Sequence, residues 1–223
     1  MPEPLSDEVR AQIERLTLAP GRPLIVTDAD EVLFAFVRGL ERYLATQGAY
    51  LDLSSFSLTG NIRRRADGEP LEATAVRDLI RDFFAEHTEE LEPVAGAPEA
   101  LAALAGRSQI LVLSNVPLDQ LAARRRALAR HGMDYPLVAN IGRKGAAVAE
   151  LARRVAAPVF FLDDIPHNIA SVAELAGEAV RLHFVADPRL ARLLEPAADA
   201  HARTDDWASA RAFIEERLDA LGF

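Results

Sequence analysis

The sequence predicts an α/β protein built on a doubly wound parallel sheet, with a small helical cap inserted after the first strand. Three observations predict it. Short apolar runs rich in branched residues recur at 24–27, 110–113, 137–139, 159–162 and 179–185. They mostly lack strict alternation, which suits strands buried on both faces. Ala-, Leu- and Arg-rich stretches with helical spacing, such as 119–131 and 145–155, separate these runs. Strand, helix, strand in repetition means a parallel sheet wrapped by helices. Finally, about 60 residues lie between the first strand and the approach to the second, more than one crossover helix requires.

Taken in order, the chain divides into a core over 1–33 and 94–223 and an inserted cap over 34–93. Within the insertion, 32–47 reads as an amphipathic helix, 51–68 as turn-rich irregular chain and 74–90 as a second helix. Pro93, Gly96 and Pro98 punctuate the return to the core, where 97–105 forms the helix before the second strand. The stretch from Asp187 to Phe223 winds back over the sheet as packing, ending in a helix over 207–221 capped by Asp205 or Asp206.

Composition narrows the function. Of 223 residues, 50% are hydrophobic and 26% charged, ample for a buried core. A net charge of -9 argues against a surface that holds nucleic acid polymer or anionic membrane by its general field, though a small anionic ligand remains open where cations gather. With no cysteine, disulfides, thiolate chemistry and Cys-ligated zinc are excluded. Residues 1–7 are acidic and polar where a secretory signal needs basic and then apolar residues, and no run of about 18 apolar residues exists. The expectation is a soluble, cytoplasmic protein. An apolar cap face could serve a homodimer as readily as a ligand.

Three predicted strands end abruptly in polar residues: 24–27 runs into Asp28-Ala29-Asp30, 110–113 into Ser114-Asn115, and 159–162 into Asp163-Asp164. The carboxyl ends of parallel strands line the crevice where ligands bind, so these residues should meet. Two carboxylates about 4 Å apart repel by roughly 4 kcal/mol at an effective dielectric near 20. Such a cluster needs a cation, and Mg2+ suits it as a hard ion that takes carboxylates, phosphate and water. Lys144, opening a helix after the strand at 137–139, adds positive charge beside a helix N-terminus suited to an anion. A carboxylate nucleophile with a second carboxyl to protonate the leaving oxygen is workable chemistry in that setting.

Thr27-Asp28-Ala29-Asp30-Glu31-Val32, Leu113-Ser114-Asn115, Lys144 and Phe161-Leu162-Asp163-Asp164-Ile165-Pro166-His167-Asn168 follow one another in an order and spacing that resembles the haloacid dehalogenase-like superfamily. The resemblance covers about 22–186 and implies a Rossmann-like core. It also implies that Asp28 attacks phosphorus and that Asp30 acts as acid and base while offering its carbonyl to Mg2+. Ser114 and the Asn115 amide then bind phosphoryl oxygens, and Lys144 neutralises developing charge. Asp164, with Asp163 directly or through water, ligates the metal alongside Asp28 and Asp30, and Asn168 supports the acidic loop. An aspartate two residues after the nucleophile favours phosphate over halide chemistry. Glu31 stands where many relatives have glycine, which raises a question about that turn.

The expected activity is therefore Mg2+-dependent hydrolysis of a small phosphorylated metabolite. A nucleoside-monophosphate hydrolase and a non-enzymatic phosphate-binding module are the alternatives. Arg63-Arg64-Arg65 in the cap could meet a second anionic group but reads first as solvated, and Arg124-Arg125-Arg126 reads as an exposed helix face. His167 and Trp207 read as non-catalytic.

Overall fold

The computed structural model describes residues 4–223; the first three residues of the polar N-terminal stretch lie outside the described residues. The core begins with α1 (Asp7–Glu14), capped by the Ser6 hydroxyl, which accepts from Val9 N. Then come β1 (Leu24–Thr27) and the insertion, which contains α2 (Phe36–Thr46), β2 (Ala49–Leu51), β3 (Ile62–Arg64) and α3 (Ala73–His87). The core resumes with α4 (Ala97–Leu104), β4 (Gln109–Ser114), α5 (Leu121–Arg130), β5 (Leu137–Ala139), α6 (Gly145–Val155) and β6 (Val159–Asp163). It ends with α7 (Pro166–Leu175), β7 (Val180–Phe184), α8 (Pro188–Ala191), β8 (Ala202–Thr204) and α9 (Trp207–Ala220).

The six core strands form one parallel sheet in the order β5-β4-β1-β6-β7-β8. The chain therefore winds outward on one side of β1 and then outward on the other. That reversal opens a crevice beyond the carboxyl end of β1.

The unbroken apolar character of the strands resolves into two interleaved alternations. Ile25, Ile110, Val112, Phe160 and Leu162 face one layer, with Leu101, Leu128, Trp207 and Ile214 of α4, α5 and α9. Leu24, Val26, Leu111, Leu113 and Phe161 face the other, with Ile13, Leu151 and Val172 of α1, α6 and α7. Alternate side chains leave opposite faces of a strand, so a sheet covered on both sides must be apolar at every position.

The insertion leaves and rejoins the core at adjacent points. Ala35 N donates to Glu92 O (2.9 Å) and Val94 N to Leu33 O (2.8 Å), zipping its two ends together. Its helices pack through Phe83, whose ring meets Phe36 and Tyr43 at centroid distances of 5.4 and 5.6 Å. Where the sequence predicts irregular chain over 51–68, the structure pairs β2 with β3 in an antiparallel hairpin. Three-residue strands, one carrying Arg63 and Arg64, present too short a period to be read locally. The edge strand β8, also three residues long, escapes the sequence reading for the same reason.

Helix α2 starts at Phe36, four residues later than expected, because the chain after Asp30 turns sharply first. Glu31 sits there with φ +59°, and the Leu33 and Phe34 amides both donate to Ala29 O. Trp207 is fully buried, meets the Phe184 ring at a tilt with centroids 5.2 Å apart and donates Nε1–H to Val32 O (2.8 Å), tying α9 to that turn. Among the described residues no helix is long and apolar enough to cross a membrane.

Candidate active site

Asp28 follows β1 directly, and its amide donates to Leu162 O (2.9 Å), so its backbone is held in the sheet. Its carboxylate accepts from Lys144 Nζ at 2.5 Å, and the same ammonium donates to Asp163 Oδ2 at 2.7 Å. Lys144 is the residue just before α6 and is 1% exposed. It reaches this position because α6 comes very close to α7: Gly145 N donates to Ser171 Oγ, and a Cβ on Gly145 would lie 2.2 Å from Ser171 O. Only glycine permits that approach.

Burial disfavours charge at this centre. Desolvation pushes the Asp28 carboxyl up to about 7 against the attraction of Lys144, with Asp163 and Asp30 adding to the rise. Desolvation, then Asp163 and Asp28, likewise hold Asp164 well above the usual carboxylate range. Burial opposes the charge on Lys144, but Asp163 and Asp28 outweigh it and keep the ammonium protonated.

The two adjacent aspartates play different parts. Asp163 is wholly buried, and its oxygens accept from Lys144, from Ile165 N (2.9 Å) and from Asn168 Nδ2 (3.0 Å). It therefore orients Lys144 and the acidic loop. Asp164 instead faces the cavity, its backbone carbonyl taking a hydrogen bond from His183 Nε2 at 3.0 Å. Asn168 links the two roles, bracing Asp163 while lining the cavity. Of the two, Asp164 lines the cavity, while both Asp163 oxygens already have protein partners.

Asp30 has a partner that the sequence reading missed. Arg124 Nη2 donates to both of its carboxylate oxygens, at 2.7 and 3.0 Å. The Arg124 side chain is fully buried, its guanidinium lies 5.1 Å from the Phe34 ring centroid, and Nε and Nη1 have no hydrogen-bond partner. The expected exposed face at 124–126 is thereby corrected for its first residue. The signal was present as helical phase: Arg124, Ala127 and Leu128 share the buried side of α5.

Glu31 answers the question raised by its turn. The residue adopts the left-handed conformation that glycine usually supplies, and its carboxylate accepts from Val37 N at 2.6 Å, capping α2. Burial pushes its carboxyl up to about 7.

Asp28, Asp30, Asn115, Lys144, Asp164 and Asn168 line one cavity of about 320 Å3 between core and insertion. Ser114 does not line it; its hydroxyl is fully buried at the end of β4 without a hydrogen-bond partner. Asn115 is held by Gly142 O and Asn140. His167 is exposed and also stands outside the lining.

Among the described residues no three acidic or imidazole side chains form a metal cluster by themselves. The donor chemistry nonetheless fits a hard cation that completes its shell with water and substrate. Asp28 and Asp164 are buried oxygen donors on one cavity, where Lys144 pairs with Asp28 and Asp163 and Arg124 with Asp30.

No family model and no curated relative matches the sequence. Solved structures do. A hydrolase of the haloacid dehalogenase family from Deinococcus radiodurans, with bound phosphate and sodium, aligns at TM-score 0.57 and 19% identity over 89% of this chain and 96% of that one. A predicted phosphoglycolate phosphatase from Haemophilus somnus aligns at TM-score 0.58 and 15% identity, covering 86% and 97%. The L-2-haloacid dehalogenase of Xanthobacter autotrophicus, with chloropropionic acid covalently bound, aligns at TM-score 0.54 and 13% identity, covering 86% and 98%. The chain has the haloacid dehalogenase-like fold, a Rossmann-like α/β sheet flanked by helices.

Proposed function

We propose that the protein is a Mg2+-dependent phosphomonoester hydrolase that forms an aspartyl-phosphate on Asp28. The observation that carries this reading is the pairing of Asp28 with Lys144 in a cavity that also receives Asp30 and Asp164. Asp28 Oδ attacks phosphorus, the ester P–O bond breaks, and Asp30 gives its proton to the departing alkoxide. Water then attacks the phosphorus of the acyl phosphate, Asp30 takes the water proton, and the bond to Asp28 breaks to release inorganic phosphate. Lys144 lessens the repulsion between Asp28 and the incoming phosphate. Asp28, Asp164 and the Asp30 carbonyl would hold Mg2+, which supplies charge neutralisation for the phosphoryl group.

Carbon–halogen cleavage is the competing chemistry, since the Xanthobacter neighbour performs it on the same fold. A halide leaves as a stable anion and needs no proton, whereas an alkoxide does. An acid two residues beyond the nucleophile therefore supports ester hydrolysis. The test is phosphate release from a panel of monoesters, nucleotides included, with and without Mg2+, by native protein and Asp28→Asn. Mg2+-dependent release lost in the variant is expected. Release that survives Asp28→Asn, or halide release from 2-chloropropionate in place of phosphate release, would sink the reading. Mg2+ binding without turnover of any ester would favour a phosphate-binding module.

A further inference from the structure

We infer that the substrate's ester group is an uncharged, apolar alkyl or aryl body seated against the insertion, a statement that rests on the phosphatase reading above. The cavity that Asp28 lines is also lined by Phe36 of α2, Phe84 of α3, Leu53, Phe56 and Leu58 of the β2–β3 loop, and Leu190 of α8. Several of the loop's own polar groups are used within it. Asn61, 6% exposed, accepts from Ser54 Oγ and donates to Ser55 O, Ser55 Oγ and Ser57 O, while Ser57 Oγ donates to Thr59 O. A buried amide thus preforms the wall, with Ser55 Oγ accepting from it and the Ser57 hydroxyl donating within the loop.

Charge points the same way. The arginines that could meet a second anion are tied elsewhere: Arg63 to Asp52 and Gly68 O, Arg64 to Asp67, and Arg65 over the Tyr50 ring. None of the three lines the cavity. Lys144 is the cation on the lining and is already paired with Asp28 and Asp163, so the lining offers no further cationic side chain to a second carboxylate or phosphate. A sugar or nucleoside would leave hydroxyls facing carbon, which costs the hydrogen bonds they make with water. An apolar body meets no such cost and gains by leaving water.

The experiment is calorimetric titration of the native protein, with Mg2+ present, using ethyl-, butyl- and hexylphosphonate and phosphonoacetate, none of which can be turned over. Affinity should rise about fourfold per methylene from ethyl to butyl, with a negative heat-capacity change. Phe56→Ser should shrink the hexyl-to-ethyl ratio, and Leu58→Ser serves where the first variant misfolds. Equal affinities along the ladder, tighter binding of phosphonoacetate than of ethylphosphonate, or binding of no phosphonate each overturns the inference. Failure of the phosphatase reading shows separately, as absent phosphate release from every ester while the phosphonate ladder still stands.

Discussion

The chain contains two arginine triplets, 63–65 and 124–126, that look alike in sequence and differ in the fold. The first lies on the hairpin of the insertion, where Arg63 and Arg64 form partly exposed ion pairs with Asp52 and Asp67. The second lies on α5, where one turn of helix points its members in different directions. Arg124 is buried on Asp30, while Arg126 joins Arg130 in holding Glu89 at the surface. A charged run has no single environment. On a helix of 3.6 residues per turn, adjacent positions face about 100° apart, so one member of the run can occupy the core while its neighbours stay in water.

The contrast can be broken by substitution. The largest effect is expected for Arg124→Met, which strands the Asp30 carboxylate beside Phe34. Breaking a buried pair typically costs about 3–5 kcal/mol, and Asp30 retains 22% exposure, so the loss should fall near the lower figure. Urea unfolding would measure it, and monoester turnover should fall in the folded variant. A loss below about 1 kcal/mol would mean that Arg124 is not the counter-charge its geometry describes.

A second contrast, between buried His183 and exposed His167, sharpens the point. Desolvation lowers the His183 value below its ordinary 6.5, and its ring accepts from Ala197 N while bonding the Asp164 carbonyl. A lowered folded value gives stability that is complete above the unfolded value and lost as pH falls through the folded one. The raised carboxyls of Asp28, Glu31 and Asp164 act in the opposite sense, stabilising metal-free protein as pH falls through about 7. The His183 part is therefore read as a difference: the stability of native protein relative to His183→Gln should fall below about pH 6.5, with His167→Gln as the surface control. Unfolding curves between pH 7 and 5 decide the matter. The smallest effect belongs to Arg63→Met, expected at about 0–1 kcal/mol with the alkylphosphonate ladder unchanged.

What could be read locally was read well. The strands at 24–27 and 137–139 and the helix at 145–155 coincide with β1, β5 and α6, because continuous branched apolar runs and a strong helical period need no distant information. The short hairpin and β8 could not be read that way. Three residues carry no usable period, and what makes them strands is a neighbour elsewhere in the chain.

The candidate site divides along the same line. Chain order alone placed Asp28, Asn115 and Asp164 at the ends of parallel strands, since such a sheet must bring those ends to one edge. It did not show that Asp163 would be spent on Lys144, Ile165 and Asn168, nor that the Ser114 hydroxyl would be buried off the cavity. Those outcomes turn on side-chain direction at adjacent residues.

By itself, then, the sequence determined the sheet, its helical layers and the acidic edge, through periods and motif order that act over a few residues at a time. Only the tertiary structure decided that Arg124 would reach Asp30 across 94 residues, that Lys144 would reach Asp28 across 116, and that the insertion would face the acids with an apolar wall. The physical reason is that these pairings are set by how the layers pack, and no local pattern records which distant surface a side chain will meet.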